Sequence, residues 1–164
     1  MYKRQGWDNE DLVVVSPDEG SIKRAVGHAK RIGGSIAIID KRRESATSVR
    51  QETIIGGPVE GKIALMFDDM ISTGGSICGA AELVKRYGAQ EIHVAATHGV
   101  FAGQATELLK KAPIDSVVIT DTIPLKPENR LDKIKVLTVS TLLGEAIKRI
   151  HHDQSISSIF NTGN

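Results

Sequence analysis

Apolar positions along the chain alternate between two patterns. DLVVVS (Asp11–Ser16) is a continuous β-branched run, which predicts a strand buried on both faces. Ser21 to Ile32 places Ile22, Ala25, Val26, Ala29 and Ile32 at helical spacing, and Gly33-Gly34 stops it. SIAIID (Ser35–Asp40) predicts a second strand. KRRESATSVRQET is polar, charged and without clear period, and is read as a long mobile loop, with residues 41–60 as its full extent. KIALMF (Lys62–Phe67) predicts a third strand and Ile77 to Tyr87 a helix closed by Gly88. EIHVAAT (Glu91–Thr97), DSVVIT (Asp115–Thr120) and KIKVLTV (Lys133–Val139) predict three more strands. Phe101 to Lys111 reads as a helix ended by Pro113. A last helix, capped by Ser140 or Thr141, runs through Ile150.

Alternating strand and helix units of this kind imply an α/β fold: a Rossmann-like, mostly parallel sheet with helices on both faces. Ligands of such sheets bind at the carboxyl ends of the strands. Residues 1–10 are read as a poorly ordered or truncated lead-in and 11–164 as a single domain.

Composition narrows the classes. The 164 residues suffice for one domain with a real core. Net charge is +1, which argues against a broad surface for nucleic acid or anionic membrane. Only 4% of residues are aromatic, too few for base-stacking platforms. The single cysteine, Cys78, excludes an internal disulfide and fits a reducing cytoplasm. No apolar stretch approaches the ~20 residues of a membrane span.

The unusual residues cluster at strand ends. In DDMISTGGS, Asp68 and Asp69 end the third strand. Ser72, Thr73, Gly74, Gly75 and Ser76 then lead into a helix. Glycines admit close backbone approach, and a helix start offers free N–H groups, most naturally to phosphate. Adjacent carboxylates suit sugar hydroxyls or a hard cation such as Mg2+. The whole string reads as a site for a phosphorylated sugar; a capped helix beside an acidic turn is the plainer alternative. It is not a P-loop, since no Gly-Lys-Ser/Thr follows.

SPDEGS places Asp18, Glu19, Gly20 and Ser21 at the end of the first strand. Alone it is a capped turn, with Asp18 as the cap. Beside the first loop it becomes a candidate pyrophosphate or metal site. DKRR (Asp40–Arg43) is either a solvated charge cluster or a cationic clamp on a transferring phosphoryl group. His93, mid-strand, reads as structural. His98, at a strand end, stays open, and His151-His152 reads as solvated. Cys78 reads as a small packed residue.

VVVSPDEG, IIDKRR, DDMISTGGS, AATHGVFAG, VVITDTIPL and the tail AIKRIH…SISSIF together resemble the ribose-phosphate pyrophosphokinase (phosphoribosyl pyrophosphate synthetase) family, in order, from about Leu12 to Phe160. The acid pair and TGGS loop are shared with many type I phosphoribosyltransferases. KRR, THGVF, TDTIP and the serine-rich tail point to the synthetase. The resemblance implies a type I phosphoribosyltransferase-like fold and a Mg2+-dependent transferase (kinase) of nucleotide biosynthesis. ATP would give its β,γ-diphosphate to ribose 5-phosphate, yielding phosphoribosyl pyrophosphate and AMP. It implies that Asp68 and Asp69 hold the ribose hydroxyls and Ser72 to Ser76 the 5-phosphate. Asp18 to Ser21 would form the pyrophosphate loop, with Asp18 near Mg2+. Lys41 and Arg43 would stabilise the transition state. Ser155, Ser157 and Phe160 match a tail that lines an effector-phosphate site between subunits in regulated members. The family also implies a homo-oligomer.

The chain departs from the family pattern at three points. Ser72 stands where the family usually has an acid, and Ser21 where the pyrophosphate loop usually has a second glycine. The match covers only the C-terminal of two similar domains, and the other supplies much of the ATP site. The expectation is therefore a ribose-5-phosphate-binding half with little or no synthetase activity alone. The alternatives are a stand-alone phosphoribosyltransferase consuming phosphoribosyl pyrophosphate, or a non-catalytic subunit of a full synthetase.

Overall fold

The computed structural model describes residues 7–42 and 51–160. Among them, seven strands form one sheet: β1 (Leu12–Ser16), β2 (Ser35–Arg42), β3 (Gln51–Gly56), β4 (Ile63–Ile71), β5 (Glu91–Gly99), β6 (Ser116–Thr120) and β7 (Ile134–Leu137). The spatial order is β3-β2-β1-β4-β5-β6-β7. All neighbours run parallel except β2 and β3. The helices are α1 (Ile22–Ile32), α2 (Gly75–Arg86), α3 (Ala105–Lys111), α4 (Ser140–His151) and α5 (Ser157–Phe160).

The period-two alternation of the central strands feeds two cores. Leu12, Val14, Ile63 and Leu65 pack with Ala25, Ala29 and Ile32 of α1. Val13, Val15, Ala64 and Met66 pack with Ile77, Ala80, Ala81 and Val84 of α2 and Leu109 of α3 on the opposite face. Spacing of three and four residues puts Ala25, Ala29 and Ile32 on one stripe, and the small size of the two alanines lets α1 sit close to the sheet. Gly33, at φ +84, ends α1, and its N–H donates to Ala29 O at 2.7 Å.

The elements differ from expectation in instructive places. The segment read as loop holds strand at both of its described ends. β2 continues through Lys41-Arg42, and β3 pairs antiparallel with it from Ala37↔Gly56 to Arg42↔Gln51. β3 is an edge strand, and polar residues such as Glu52 and Thr53 are what such an edge tolerates. β4 runs on to Ile71 because β5 keeps pairing with it as far as Ile71↔Gly99, so the acid pair sits within the strand. α2 starts earlier than expected, at Gly75. α3 starts later, at Ala105, because Phe101 takes a left-handed φ of 47. Neither Ser140 nor Thr141 caps α4: Val139 holds the cap position, and Thr138 Oγ1 accepts from Ser140 N at 3.1 Å. Within the expected lead-in, the rings of Trp7 and His93 lie 4.7 Å apart at a tilt, and a short 3-10 turn spans Asn9–Asp11.

Candidate functional site

The order of strands reverses direction at β1: the chain goes from β1 through α1 to β2 on one side, then returns to β4 on the other. Loops leaving the carboxyl ends of β1 and β4 therefore diverge and leave a crevice. Both motif-bearing loops lie there.

After β1, Ser16 Oγ donates to Asp18 O at 2.7 Å, and Asp18 Oδ1 accepts from Ser21 N at 2.8 Å. Asp18 thus caps the 3-10 turn Glu19–Ser21 that leads into α1. The carboxyl remains exposed, as do Glu19 and Gly20, while Ser21 is buried.

After β4, Ser72 and Thr73 lead to Gly74 at φ +78, the cap of α2. No side chain caps this helix, so its first N–H groups are left for a ligand or water. The loop is braced from behind. Ala102 N donates to Ser72 O at 3.0 Å, and Val100 N and Phe101 N donate to Ile71 O, each at 3.1 Å. The hollow so formed is lined by Asp68, Ser72, Thr73, Gly74, Gly75 and Ser76. Twelve residues of α2 stand behind it with their dipole's positive end forward.

Asp68 forms the near wall, and Asp69 follows it in β4. β1 pairs with β4 only as far as Val15↔Met66, so Asp68 and Asp69 lie beyond its last rung. Asp68 Oδ1 accepts from Asp69 N at 2.9 Å, and Asp69 Oδ1 from Met70 N at 3.0 Å. Arg24 of α1 bonds Asp68 Oδ1 through Nη1 and approaches Asp69 Oδ1 through Nη2 at 3.6 Å. One turn further along α1, His28 stacks on Phe67 at 3.9 Å. Burial pushes the Asp68 carboxyl above its usual range, and a shared hydrogen bond with Asp69 adds to this. The same bond holds the exposed Asp69 below its usual range. Two carboxyls this close titrate as a pair. Burial, with Arg31 and Arg24 nearby, lowers His28, which favours a neutral ring.

The other sequence candidates fall as follows. Lys41 lies near the end of β2, past the last β1 rung and opposite Glu52 of β3; Arg43 lies outside the described residues. Ser155 and Ser157 lie away from the crevice, in the tail folded against α4. There Arg149 Nη1 donates to Ser155 O at 3.3 Å and to Ser158 Oγ at 2.6 Å. Phe160 ends α5, and its side chain lies outside the described residues. His93 is buried between Ser116 Oγ at 2.8 Å and Glu91 Oε2 at 2.9 Å, a structural role. His98 Nδ1 bonds Thr122 Oγ1 at 2.8 Å, and Thr120 and Thr122 both donate to Thr97 O. The threonines of TDTIP thus tie the end of β6 to that of β5. Cys78 is buried, as expected. No group of three metal-ligating side chains occurs among the described residues. Arg24 and His28 were not apparent as site residues in the sequence. The available signal was a cation in the first turn of a helix, where an acid is the norm.

A mostly parallel sheet, a diverging crevice, an uncapped helix start and an acid pair define a domain of the type I phosphoribosyltransferase-like class. The model of the phosphoribosyl synthetase-associated domain matches residues 47–161. The chain belongs to that family. It is 68% identical over 151 residues to the ribose-phosphate pyrophosphokinase of Rhodopirellula baltica, covering 92% of this chain and 48% of that protein. It is 51% identical to that of Caldanaerobacter subterraneus, with the same coverage. The crystal structure of phosphoribosylpyrophosphate synthetase from Mycobacterium smegmatis superposes with a TM-score of 0.83 at 34% identity, covering 93% of this chain and 49% of that one. The chain thus spans about half the length of the curated relatives it matches.

Proposed function

We propose that this chain supplies the ribose 5-phosphate half of a ribose-phosphate diphosphokinase. In that reaction the anomeric hydroxyl of ribose 5-phosphate attacks the β-phosphorus of ATP. The bond to the α-phosphate oxygen breaks, AMP leaves, and phosphoribosyl pyrophosphate forms. The observation that carries the reading is the juxtaposition of Asp68 with the uncapped start of α2 in one hollow, with Asp69 next to it in β4. The 5-phosphate takes the N–H groups and hydroxyls from Ser72 to Ser76, and the ribose diol takes the two carboxylates. The sequence relatives carry the name of this activity.

The residues present also fit a Mg2+ ion. Asp18 is an exposed hard-oxygen donor with one oxygen committed to its cap, and Mg2+ characteristically takes one or two carboxylates with substrate phosphates and water. Bound there, the ion would neutralise charge on the diphosphate. Lys41 and Arg43 are proposed to bring further positive charge to the transferring group. Positioning and charge neutralisation are the main demands of such a transfer. A reducing cytoplasmic setting and a homo-oligomeric state belong to the same reading, and Ser155, Ser157 and Phe160 would serve an effector-phosphate site.

The test is calorimetric titration of the chain with ribose 5-phosphate and Mg2+, repeated on Asp68→Asn/Asp69→Asn and coupled to an assay of ATP-dependent AMP release. The expected result is binding that the double variant weakens by roughly a hundredfold, as for loss of two hydrogen bonds to charged groups. Absence of binding by the unsubstituted chain would sink the reading.

A further inference from the structure

We infer that Arg24 is a positioning and specificity-determining residue, which draws Asp68 and Asp69 into one arrangement matched to a vicinal diol. The inference rests on the sugar-phosphate reading above.

Consecutive residues of a strand project to opposite faces of the sheet. Asp68 and Asp69 are consecutive within β4, so β geometry alone would send their carboxylates apart. A guanidinium is a planar fork that can hold two oxygens at once, and Arg24 engages Oδ1 of both. Asp68 is the fixed member, with 25% of its side chain exposed; Asp69, at 63%, is the open one.

The placement of Arg24 goes against local preference. It is the third residue of α1, and the first turn of that helix holds no acid. A cation there opposes the helix dipole. Elements that break a local rule tend to do so at functional sites. Arg24 and His28 lie one turn apart on one face of α1 and grip successive residues of β4: His28 stacks on Phe67, and Arg24 takes the two acids. The helix that follows the Asp18 loop therefore also holds the acid pair at the end of β4. This links the two motif loops through one rigid element.

The experiment compares the full chain with Arg24→Gln and Arg24→Lys, titrating each with ribose 5-phosphate, 2-deoxyribose 5-phosphate and inorganic phosphate. The deoxy sugar lacks one hydroxyl of the diol, so the unsubstituted chain is expected to prefer the ribose sugar by roughly tenfold or more. Arg24→Gln is expected to bring that ratio close to one while leaving phosphate affinity unchanged. Arg24→Lys, a single point charge without the fork, is expected to lie between them. A helix residue that merely supported the fold would weaken all three ligands together and leave the ratio alone. A retained ratio in Arg24→Gln overturns the role of Arg24. Should Arg24→Gln not fold, a full ratio in Arg24→Lys overturns it equally. Equal binding of the two sugars by the unsubstituted chain would overturn the diol assignment and this inference with it, whereas binding of neither would overturn the sugar-phosphate reading itself.

Discussion

Gly74 shows how much one residue decides. Its φ of +78 turns the chain from β4 into α2 and aims the first amides of that helix into the hollow. An added Cβ would meet Ala105 at no less than 3.5 Å, so space is available and only the backbone conformation objects. Gly74→Ala is therefore expected to cost about 1–2 kcal/mol in stability, the penalty for a left-handed L-residue, measured by urea denaturation. Phosphate affinity should fall along with it. Cys78, four residues on, offers a pH test. Burial pushes its thiol from 9.0 up to about 11. The folded chain holds this proton more tightly than the unfolded one. Stability is therefore full below about pH 9 and falls as pH rises toward 11. A thiol reagent at pH 8 should label Cys78 slowly in the native chain and quickly in denaturant. The acid pair and the TGGS loop were legible in the sequence because carboxylates, hydroxyls and glycines announce their chemistry in order. Arg24 was not, because its role exists only across the gap between α1 and β4.

At the scale of elements, buried strands and helices with a clear apolar stripe could be read directly. β1 and α1 are examples: VVV alternates between two cores, and Ala25, Ala29 and Ile32 mark one face. β3 could not be read, since an edge strand buries little and its stability comes from the ladder to β2. The end of β4 was also hidden, because its last residues stay in the sheet only through pairing with β5. Gly56 marks where β3 must stop. Its φ is +111, and a Cβ there would lie 2.6 Å from Ile36 O, a backbone atom that cannot step aside. Gly56→Ala is expected to destabilise the chain by about 2 kcal/mol or more, since strain and a backbone clash combine. A shift in the urea midpoint with unchanged slope would report it.

Over the whole molecule, stability is unevenly spread. β1 and α2 lie in the two cores, whereas α4 has no buried residue. Its Ile147 and Ile150 are 67% and 62% exposed. In this chain, then, α4 should open at low cost: its amides are expected to exchange with deuterium well before those of β1 and β4. Ile147→Ser and Ile150→Ser should each change stability by less than about 0.5 kcal/mol. Slow exchange throughout α4 would mean that it is held by something other than the contacts seen here. The site sits at the opposite extreme, on strands from the middle of the sheet and on a helix start braced by the β5–α3 loop. That arrangement suits a rigid receptor for a small charged ligand.

The most direct measurement is an amide chemical-shift map of the chain during titration with ribose 5-phosphate. The expected result is saturable shifts concentrated at Asp69 and at Ser72 to Ser76, with smaller ones in the Asp18 loop. Saturable shifts centred on another part of the fold, or none at all, would contradict the placement of a sugar phosphate between the acid pair and the start of α2.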